Sequence, residues 1–353
     1  MQRIKQYSKV STSLSALSNE KLKQILADGK PMHEGIGGKS TLISIDETQV
    51  FVKKIPLTDL EQLPQNFMST ANIFDLPLCY QYGVGSAGFG AWRELATHIM
   101  TTNWVITDEC ANFPIMYHWR ILPSHPGDIN INYWGNIEEY CQYWEHSSAI
   151  RKRVEDLNKA SAHIALFLEY VPQNLHSFLS AQIAKSNDST ETAVALVDEQ
   201  LKATNKHMNA LGLMHFDAHF ENILTDGKLI YLSDFGLALS SKFDLTPAEI
   251  KFLKQHQSYD HACAAVNLLH CIITSLFGKE HWEIRLREYL ANELDNAPPV
   301  IASIIKKYAP IALLMDEFFQ KLQKESKSTP YPATKLEKLL ITNSLETKGD
   351  KND

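Results

Sequence analysis

Two carboxylates and one amide lie close together in the chain, at Asp217, Asn222 and Asp234. They belong to the segment HFDAHFENILTDGKLIYLSDFG, which follows a run of apolar residues with helical spacing. Carboxylate and amide oxygens are ligands that Mg²⁺ prefers, and a further carboxylate can accept the proton of an attacking hydroxyl. This set is therefore the one that metal-assisted phosphoryl transfer requires.

The order His-x-Asp-x-x-x-x-Asn followed by Asp-Phe-Gly resembles the catalytic loop and metal-binding loop of the protein-kinase-like superfamily. The resemblance implies that Asp217 is the catalytic base and that Asn222 and Asp234 bind Mg²⁺. It also implies that His215 braces the loop. His219 stands where many protein kinases have lysine, as in small-molecule kinases with His-x-Asp-x-His, and either contacts the γ-phosphate or braces the loop.

A lysine for the α- and β-phosphates of ATP is expected in the first half of the chain. The run Val50-Phe51-Val52-Lys53 resembles the family's lysine-bearing strand, which makes Lys53 the candidate. Because side chains alternate along a strand, Lys53 and Lys54 point to opposite faces, and only one can enter the cleft. Glu94, in the predicted helix AWRELATH, is the first candidate to hold this lysine, and Glu61 is the rival.

Two glycine clusters precede predicted elements. The first stands in the turn before the strand TLISI, where backbone N–H groups could approach phosphates, and comprises Gly35, Gly37 and Gly38. The second, Gly83–Gly90, is either a hinge before the next helix or an added phosphate or substrate contact.

The run FLEYVPQNLHSFL resembles the hinge between the lobes of the superfamily. This resemblance implies that backbone groups bind adenine at Glu169, Tyr170 and Val171.

Strands concentrate in the first half of the chain and helices in the second, which predicts an α+β protein of two lobes. The resemblance implies a protein-kinase-like fold, with a small, mainly β N-lobe that carries one key helix and a larger helical C-lobe. The predicted divisions are an N-terminal leader at 1–34, an N-lobe at 35–170 with an insertion at 124–160, a C-lobe at 171–342 and a flexible tail at 343–353.

Several elements that would position these residues can be read from the sequence. An extended leader with one helix, capped by Ser18 and ended at Gly29, is expected first. The strands TLISI and QVFVKKI are joined by a turn at Asp46-Glu47, and a helix begins near Ala91. The strand PIMYHWRIL follows, and the insertion contains an aromatic helical run with Tyr133, Trp134, Tyr140, Tyr143 and Trp144.

Composition limits the class of protein. The chain has 353 residues, of which 44% are hydrophobic, and a net charge of −7, so wholesale disorder and a dedicated nucleic-acid binder are excluded. No membrane span or signal peptide is expected, because apolar runs are short and the N-terminus is polar. Five dispersed cysteines indicate reduced thiols and a cytoplasmic location.

The resemblance implies an ATP- and Mg²⁺-dependent phosphotransferase that transfers the γ-phosphate to a hydroxyl, with a protein Ser/Thr acceptor favoured. Phe216 replaces the arginine that many kinases have in the catalytic loop, and TPAEI stands where Ala-Pro-Glu is usual, so a small-molecule kinase of the aminoglycoside-phosphotransferase type is the alternative. Transfer of AMP is a further alternative. A pseudokinase whose 124–160 insertion docks a protein partner is the alternative outside enzymes.

Overall fold

The computed structural model describes residues 2–35, 38–124, 135–278, 281–292 and 298–349. Helices occupy α1 (Gln2–Ser15), α2 (Asn19–Ala27), α3 (Asp59–Gln62), α4 (Ala91–Ile106), α5 (Ile137–Tyr143), α6 (Ser148–Asn158), α7 (Leu175–Lys185), α8 (Asn187–Ala210), α9 (Pro247–Gln255), α10 (Tyr259–Phe277), α11 (Trp282–Asn292), α12 (Pro299–Lys324) and α13 (Ala333–Gly349). Strands occupy β1 (Lys30–Gly35), β2 (Gly38–Ile45), β3 (Thr48–Leu57), β4 (Met116–Pro123), β5 (Ala162–Glu169), β6 (Gln173–Asn174), β7 (Leu213–Met214), β8 (Ile223–Thr225), β9 (Ile230–Leu232) and β10 (Leu239–Ser240). The protein is therefore mixed α and β, compatible with the predicted α+β class.

The chain forms two compact units. The first consists of Met1–Val171 and Ser233–Ile250, and the second of Pro172–Leu232 and Lys251–Asp353. The sequence placed a division after residue 170, next to the observed one. Residues 233–250, which the sequence placed in the C-lobe, belong to the first unit, as do residues 1–34.

A five-stranded antiparallel sheet in the order β1-β2-β3-β5-β4 organises the first unit. The hairpin between β2 and β3 turns at Asp46 and Glu47, whose φ angles of 47° and 67° are those of a tight two-residue turn. Strand β3 pairs with β5 along its length, so that Lys53 lies opposite Leu166. Trp92 and Leu95 of α4 belong to the same buried cluster as Leu166. The strands and helix predicted here are confirmed.

The N-terminal segment differs from the extended leader that the sequence predicted. It forms α1 and α2, and α1 buries Val10 and Leu14, which are one helical turn apart. The predicted cap is present, because the Ser18 side chain accepts a hydrogen bond from Lys21 N. The prediction was wrong for α1 because these two apolar residues stand in an otherwise polar stretch, where the helical period is easily missed.

The insertion contributes α5 and α6 to the first unit. Tyr140 and Trp144 are buried there, and the Trp144 ring lies edge-on to Tyr80 with the ring centroids 4.7 Å apart. The Tyr80 and Tyr140 hydroxyls are 2.6 Å apart. These aromatic residues therefore belong to the core of their own unit. Tyr133 and Trp134 lie outside the described residues.

The second unit is mainly helical, with the small antiparallel sheet β6-β8-β9. Helix α10 packs against α7, α8 and α12. In the part of the chain that the structure describes, α10 is the one helix long and apolar enough to cross a membrane, but 56% of its most apolar stretch is buried inside the protein. This burial is what a core helix of the unit requires.

Candidate active site

Lys53 is the centre of the first group of predicted site residues. It lies on β3 with 8% of its surface exposed, and its Nζ donates to Glu94 Oε1 and to Asp234 Oδ1, at 2.7 Å in each case. Burial alone would lower the pKa of Lys53, but the charges of Asp234 and Glu94 outweigh it and hold that pKa above its ordinary value. Lys53 is therefore a buried ammonium held between a helix and a loop.

The glutamate that binds Lys53 is Glu94, and Glu61 makes other contacts. Glu61 Oε2 is 3.0 Å from Arg153 Nη1, and both side chains are almost fully buried. Glu61 Oε1 accepts a hydrogen bond from Ala91 N at 2.7 Å, and its carbonyl oxygen accepts one from Trp92 Nε1 at 2.9 Å. Glu61 thus holds the first turn of α4, the turn that carries Glu94.

Asp234 and the two residues after it form a tight loop in the same unit. Asp234 has a φ of 62°, in the left-handed region, and Phe235 is fully buried. The Phe235 ring lies edge-on to His98 of α4, with centroids 4.8 Å apart. This anchor fixes the backbone from which Asp234 reaches Lys53.

The Gly83–Gly90 cluster contacts this loop. A Cβ atom on Gly88 would lie 2.5 Å from the carbonyl oxygen of Gly236, and Gly88 has a φ of 73°. Gln81 Nε2 donates to the Leu237 carbonyl oxygen. Only glycine allows this approach of one backbone to the other. The cluster therefore supports the loop of Asp234, a role that neither sequence-based alternative described.

A second buried ion pair joins α4 to the segment after Asp234. Arg93 Nη2 is 2.6 Å from Glu249 Oε1, and the two side chains are 2% and 1% exposed. Arg93 Nε also donates to the Thr70 carbonyl oxygen at 2.7 Å. Since Arg93 adjoins Glu94 in the chain, the pair fixes the rotation of α4 about its axis.

The predicted catalytic loop lies in the second unit, where Asp260 of α10 holds it. Its two carboxylate oxygens accept hydrogen bonds from His215 N at 2.7 Å and from Phe216 N at 3.0 Å. Burial raises the pKa of Asp260 to about 6, although both N–H donors lower it. Phe216 has a φ of 62°, so the anchor constrains a left-handed residue just before Asp217.

Asp217 and Asn222 lie side by side in this loop. Asn222 Nδ2 donates to Asp217 Oδ2 at 3.2 Å and to the Asp217 carbonyl oxygen at 3.0 Å. That carbonyl oxygen also accepts from His219 N at 2.8 Å, and His219 Nδ1 accepts from Glu221 N at 3.3 Å. These contacts are those of a residue that braces the loop, and the alternative contact of His219 with the γ-phosphate stays a prediction. Asp217 itself is half-buried, so its carboxylate retains access to solvent.

The glycine turn and the hinge belong to the first unit. Gly35 ends β1 and pairs with Gly38, the first residue of β2, whereas Gly37 lies outside the described residues. The sequence did not predict β1.

At the hinge, Glu169 N donates to the Ile115 carbonyl oxygen at 2.8 Å. The Glu169 side chain accepts hydrogen bonds from Arg3 of α1 and from Ile115 N. The Glu169 N–H is therefore committed inside the protein, while the predicted contact of the Glu169, Tyr170 and Val171 backbone with adenine stays a prediction.

The predicted residues thus form two groups, each described within its own unit. Lys53, Glu94 and Asp234 meet in the first unit, and Asp217, Asn222, His215 and His219 lie in one loop of the second.

Asp234 of the first unit offers a carboxylate and Asn222 of the second offers an amide oxygen, and each is a donor of the kind that Mg²⁺ prefers. Across the described ranges, no group of three or more His, Cys, Asp or Glu could hold a metal ion.

Three supporting roles were missed from the sequence, although Glu61 was named there as the rival partner of Lys53 and Gly88 lies in the Gly83–Gly90 cluster. Glu61 had a readable signal, because Thr58 and Glu61 form the Ser/Thr-x-x-Glu capping box at α3. Arg93 and Gly88 had none, because their partners are 156 and 148 positions away along the chain (249 − 93 and 236 − 88).

No known family model matches the chain, and no curated protein matches its sequence.

Proposed function

We propose that the chain is a member of the protein-kinase-like superfamily and an ATP- and Mg²⁺-dependent phosphotransferase. The observation that supports this most directly is the buried Lys53, which lies 2.7 Å from both Glu94 and Asp234. A lysine bound at once by a helix glutamate and by the aspartate of Asp-Phe-Gly is the arrangement in which kinases place the donor phosphates. A structural ion pair needs only one carboxylate. The second carboxylate beside Lys53 therefore makes this lysine a candidate for a functional residue.

In this proposal each residue acts on a defined group. Lys53 binds the α- and β-phosphates of ATP, and Glu94 orients its ammonium group. Asp217 accepts the proton of the acceptor hydroxyl. Asn222 and Asp234 each offer an oxygen ligand to Mg²⁺, which when bound neutralises phosphate charge.

The positions of two of these groups are fixed before any substrate binds. Asp260 holds the backbone on the N-terminal side of Asp217, and Asn222 donates to the Asp217 carboxylate. Fixed hydrogen bonds of this kind reduce the reorganisation needed in the transition state. The His215–Asn222 loop therefore supports a role in catalysis beyond nucleotide binding.

The acceptor is a hydroxyl, and we favour a protein Ser or Thr because Asp-Phe-Gly is followed by a segment of kinase-like length. A small-molecule hydroxyl is the alternative, favoured by His219 and by the absence of an arginine at position 216.

The test is incubation of the purified chain with Mg²⁺ and ATP labelled at the γ- or the α-phosphate, with a protein mixture or a panel of small hydroxyl compounds as acceptors. We expect the acceptor to become labelled only when the ATP carries its label at the γ-phosphate. The rate of transfer should fall by about 100-fold or more in Asp217→Asn. Glu221→Gln is the matched control, because Glu221 is exposed in the same loop.

Transfer of the α-label would replace phosphotransfer with AMP transfer. If the chain binds ATP but shows no phosphoryl transfer that is lost in Asp217→Asn, the proposal of an enzyme would be overturned. A nucleotide-dependent binding module would then be favoured.

A further inference from the structure

Arg3 of α1 reaches the end of β5 from a distant part of the chain. Its Nε is 2.9 Å from Glu169 Oε1 and its Nη2 is 2.6 Å from Glu169 Oε2, so the guanidinium binds the carboxylate through two parallel hydrogen bonds. The Arg3 and Glu169 side chains are 25% and 14% exposed. A bidentate pair with this degree of burial holds both side chains in one orientation, unlike a lone exposed ion pair.

The same guanidinium binds the segment that leads into β4. Arg3 Nη1 donates to the Ala111 carbonyl oxygen at 2.9 Å, and Arg3 Nη2 donates to the Phe113 carbonyl oxygen at 2.6 Å. A guanidinium can make all these contacts at once because its N–H donors lie in one rigid plane, whereas the single ammonium of a lysine cannot. Arg3 therefore ties the end of β5 to residues 111–113.

This segment is packed into the first unit. Phe113 is fully buried, and its ring centroid lies 6.2 Å from that of Phe235. Glu169 N donates to the Ile115 carbonyl oxygen at 2.8 Å, and Ile115 N donates to Glu169 Oε2 at 3.1 Å. Arg3 thus completes a hydrogen-bond network that joins Glu169 to a fixed part of the unit.

The segment predicted to contact adenine begins at this network. Tyr170 and Val171 follow Glu169 directly in the chain. The orientation of the Glu169 backbone therefore sets where the N–H and C=O groups of the next two residues lie. A displacement of about 1 Å is enough to weaken a binding or catalytic contact severely.

The attachment of α1 to the sheet does not by itself account for these contacts of Arg3. Helix α1 buries Val10 and Leu14, and Ser13 donates to Asp46 at the turn between β2 and β3. These residues lie in the second half of the helix, whereas Arg3 lies in its first turn. The contact at the hinge is therefore separate from the contacts that cover the sheet.

We propose that Arg3 is a positioning residue of the nucleotide site. It holds Glu169 against residues 111–115, so that the backbone of Tyr170 and Val171 keeps the position in which it binds adenine. Arg3 itself does not contact the nucleotide. The inference rests on the proposed function, because a fixed hinge serves ATP binding only in a chain that binds ATP.

The test compares Arg3→Met with Lys5→Met, which removes the same charge from an exposed position of the same helix. The dissociation constant of ATP–Mg²⁺ is measured by calorimetry, and KM for ATP and kcat are measured in the transfer assay. We expect Arg3→Met to raise the dissociation constant and KM by about tenfold and to change kcat by less than about threefold. Lys5→Met should change each quantity by less than about twofold. Arg3→Lys should bind ATP about threefold or more weakly than the wild type, because an ammonium cannot replace the bidentate pair.

Two further measurements show whether Arg3 acts through Glu169. Glu169→Met should weaken ATP binding as much as Arg3→Met does, and the double variant Arg3→Met/Glu169→Met should weaken it no further. In the absence of nucleotide, the backbone amides of Glu169 and Ile115 should exchange hydrogen about tenfold faster in Arg3→Met than in Lys5→Met.

Equal ATP affinity in Arg3→Met and Lys5→Met would overturn the inference, as would wild-type affinity in Arg3→Lys or equal amide exchange in the two methionine variants. Effects of Arg3→Met and Glu169→Met that multiply in the double variant would show that Arg3 does not act through Glu169, with the same consequence. A fall in kcat at unchanged KM is the result expected of a partly unfolded enzyme, and it would leave Arg3 with a structural role only.

The wild type separates failure of this inference from failure of the proposed function. If the wild type does not bind ATP, the proposed function is overturned, and the inference with it. If the wild type binds ATP and Arg3→Met binds it equally well, the inference alone is overturned.

Discussion

Substitution of Gly88 by alanine tests the contact between the Gly83–Gly90 cluster and the loop of Asp234. Gly88 has a φ of 73°, and an added Cβ would lie 2.5 Å from the Gly236 carbonyl oxygen. Gly135 is a matched control, because it has a similar φ of 66° and no atom of the described residues lies within 4 Å of an added Cβ. The two variants therefore share the backbone strain and differ in the steric overlap.

The expected effects follow from these two terms. A left-handed alanine costs about 1–2 kcal/mol at either position. The overlap at Gly88 adds about 1–3 kcal/mol, because backbone rather than a flexible side chain must move. At about 2–4 °C per kcal/mol, Gly88→Ala should melt about 2–12 °C below Gly135→Ala.

Scanning calorimetry of both variants and the wild type measures this difference. Gly88→Ala should also reduce phosphoryl transfer relative to Gly135→Ala, because displacement of Gly236 moves Asp234 away from Lys53. Equal melting temperatures for the two variants would refute the close approach of Gly88 to Gly236, and with it the supporting role of the cluster.

Two further predictions concern buried charges. Arg93→Met should lower the free energy of unfolding in urea by about 3–5 kcal/mol, since Glu249 is left buried without its cation. The double variant Arg93→Met/Glu249→Met should recover at least half of this loss, and no recovery would contradict this account of the pair. Asp260, whose pKa is raised to about 6 from 3.8, binds more protons folded than unfolded between these values, so its contribution to stability falls as pH rises through about 6. In urea unfolding, the wild type should lose about 2 kcal/mol relative to Asp260→Asn between about pH 4 and 7, and a constant difference would exclude this titration.

The local parts of the fold could be predicted from the sequence. Ser18 caps α2, Asp46 and Glu47 form the turn of the β2–β3 hairpin, and α4 begins at Ala91. Each of these features depends on neighbouring residues, whose chemistry a single sequence displays. Alternation along β3 likewise separates Lys53 from Lys54.

The supporting contacts could not be predicted, because their partners are distant in the chain. Arg93 meets Glu249, and Glu61 meets Arg153, only after the sheet and its helices have assembled. The same holds for Arg3, which binds Glu169 from a helix that the sequence did not predict. The sequence named Glu94 as the first candidate to hold Lys53 and Glu61 as the rival, and the ion pair of 2.7 Å between Lys53 and Glu94 decides between them.

The central claim, that the Lys53 group binds the phosphates of ATP, is tested most directly by comparing two adjacent lysines. Lys53→Met and Lys54→Met remove the same charge from consecutive positions of β3, one buried against Glu94 and Asp234 and one half-buried. Affinity for ATP and the rate of phosphoryl transfer are measured for both, with circular dichroism to verify folding. We predict a loss of transfer of about 100-fold or more in folded Lys53→Met and near wild-type transfer in Lys54→Met. Equal activity in the two variants would contradict the claim.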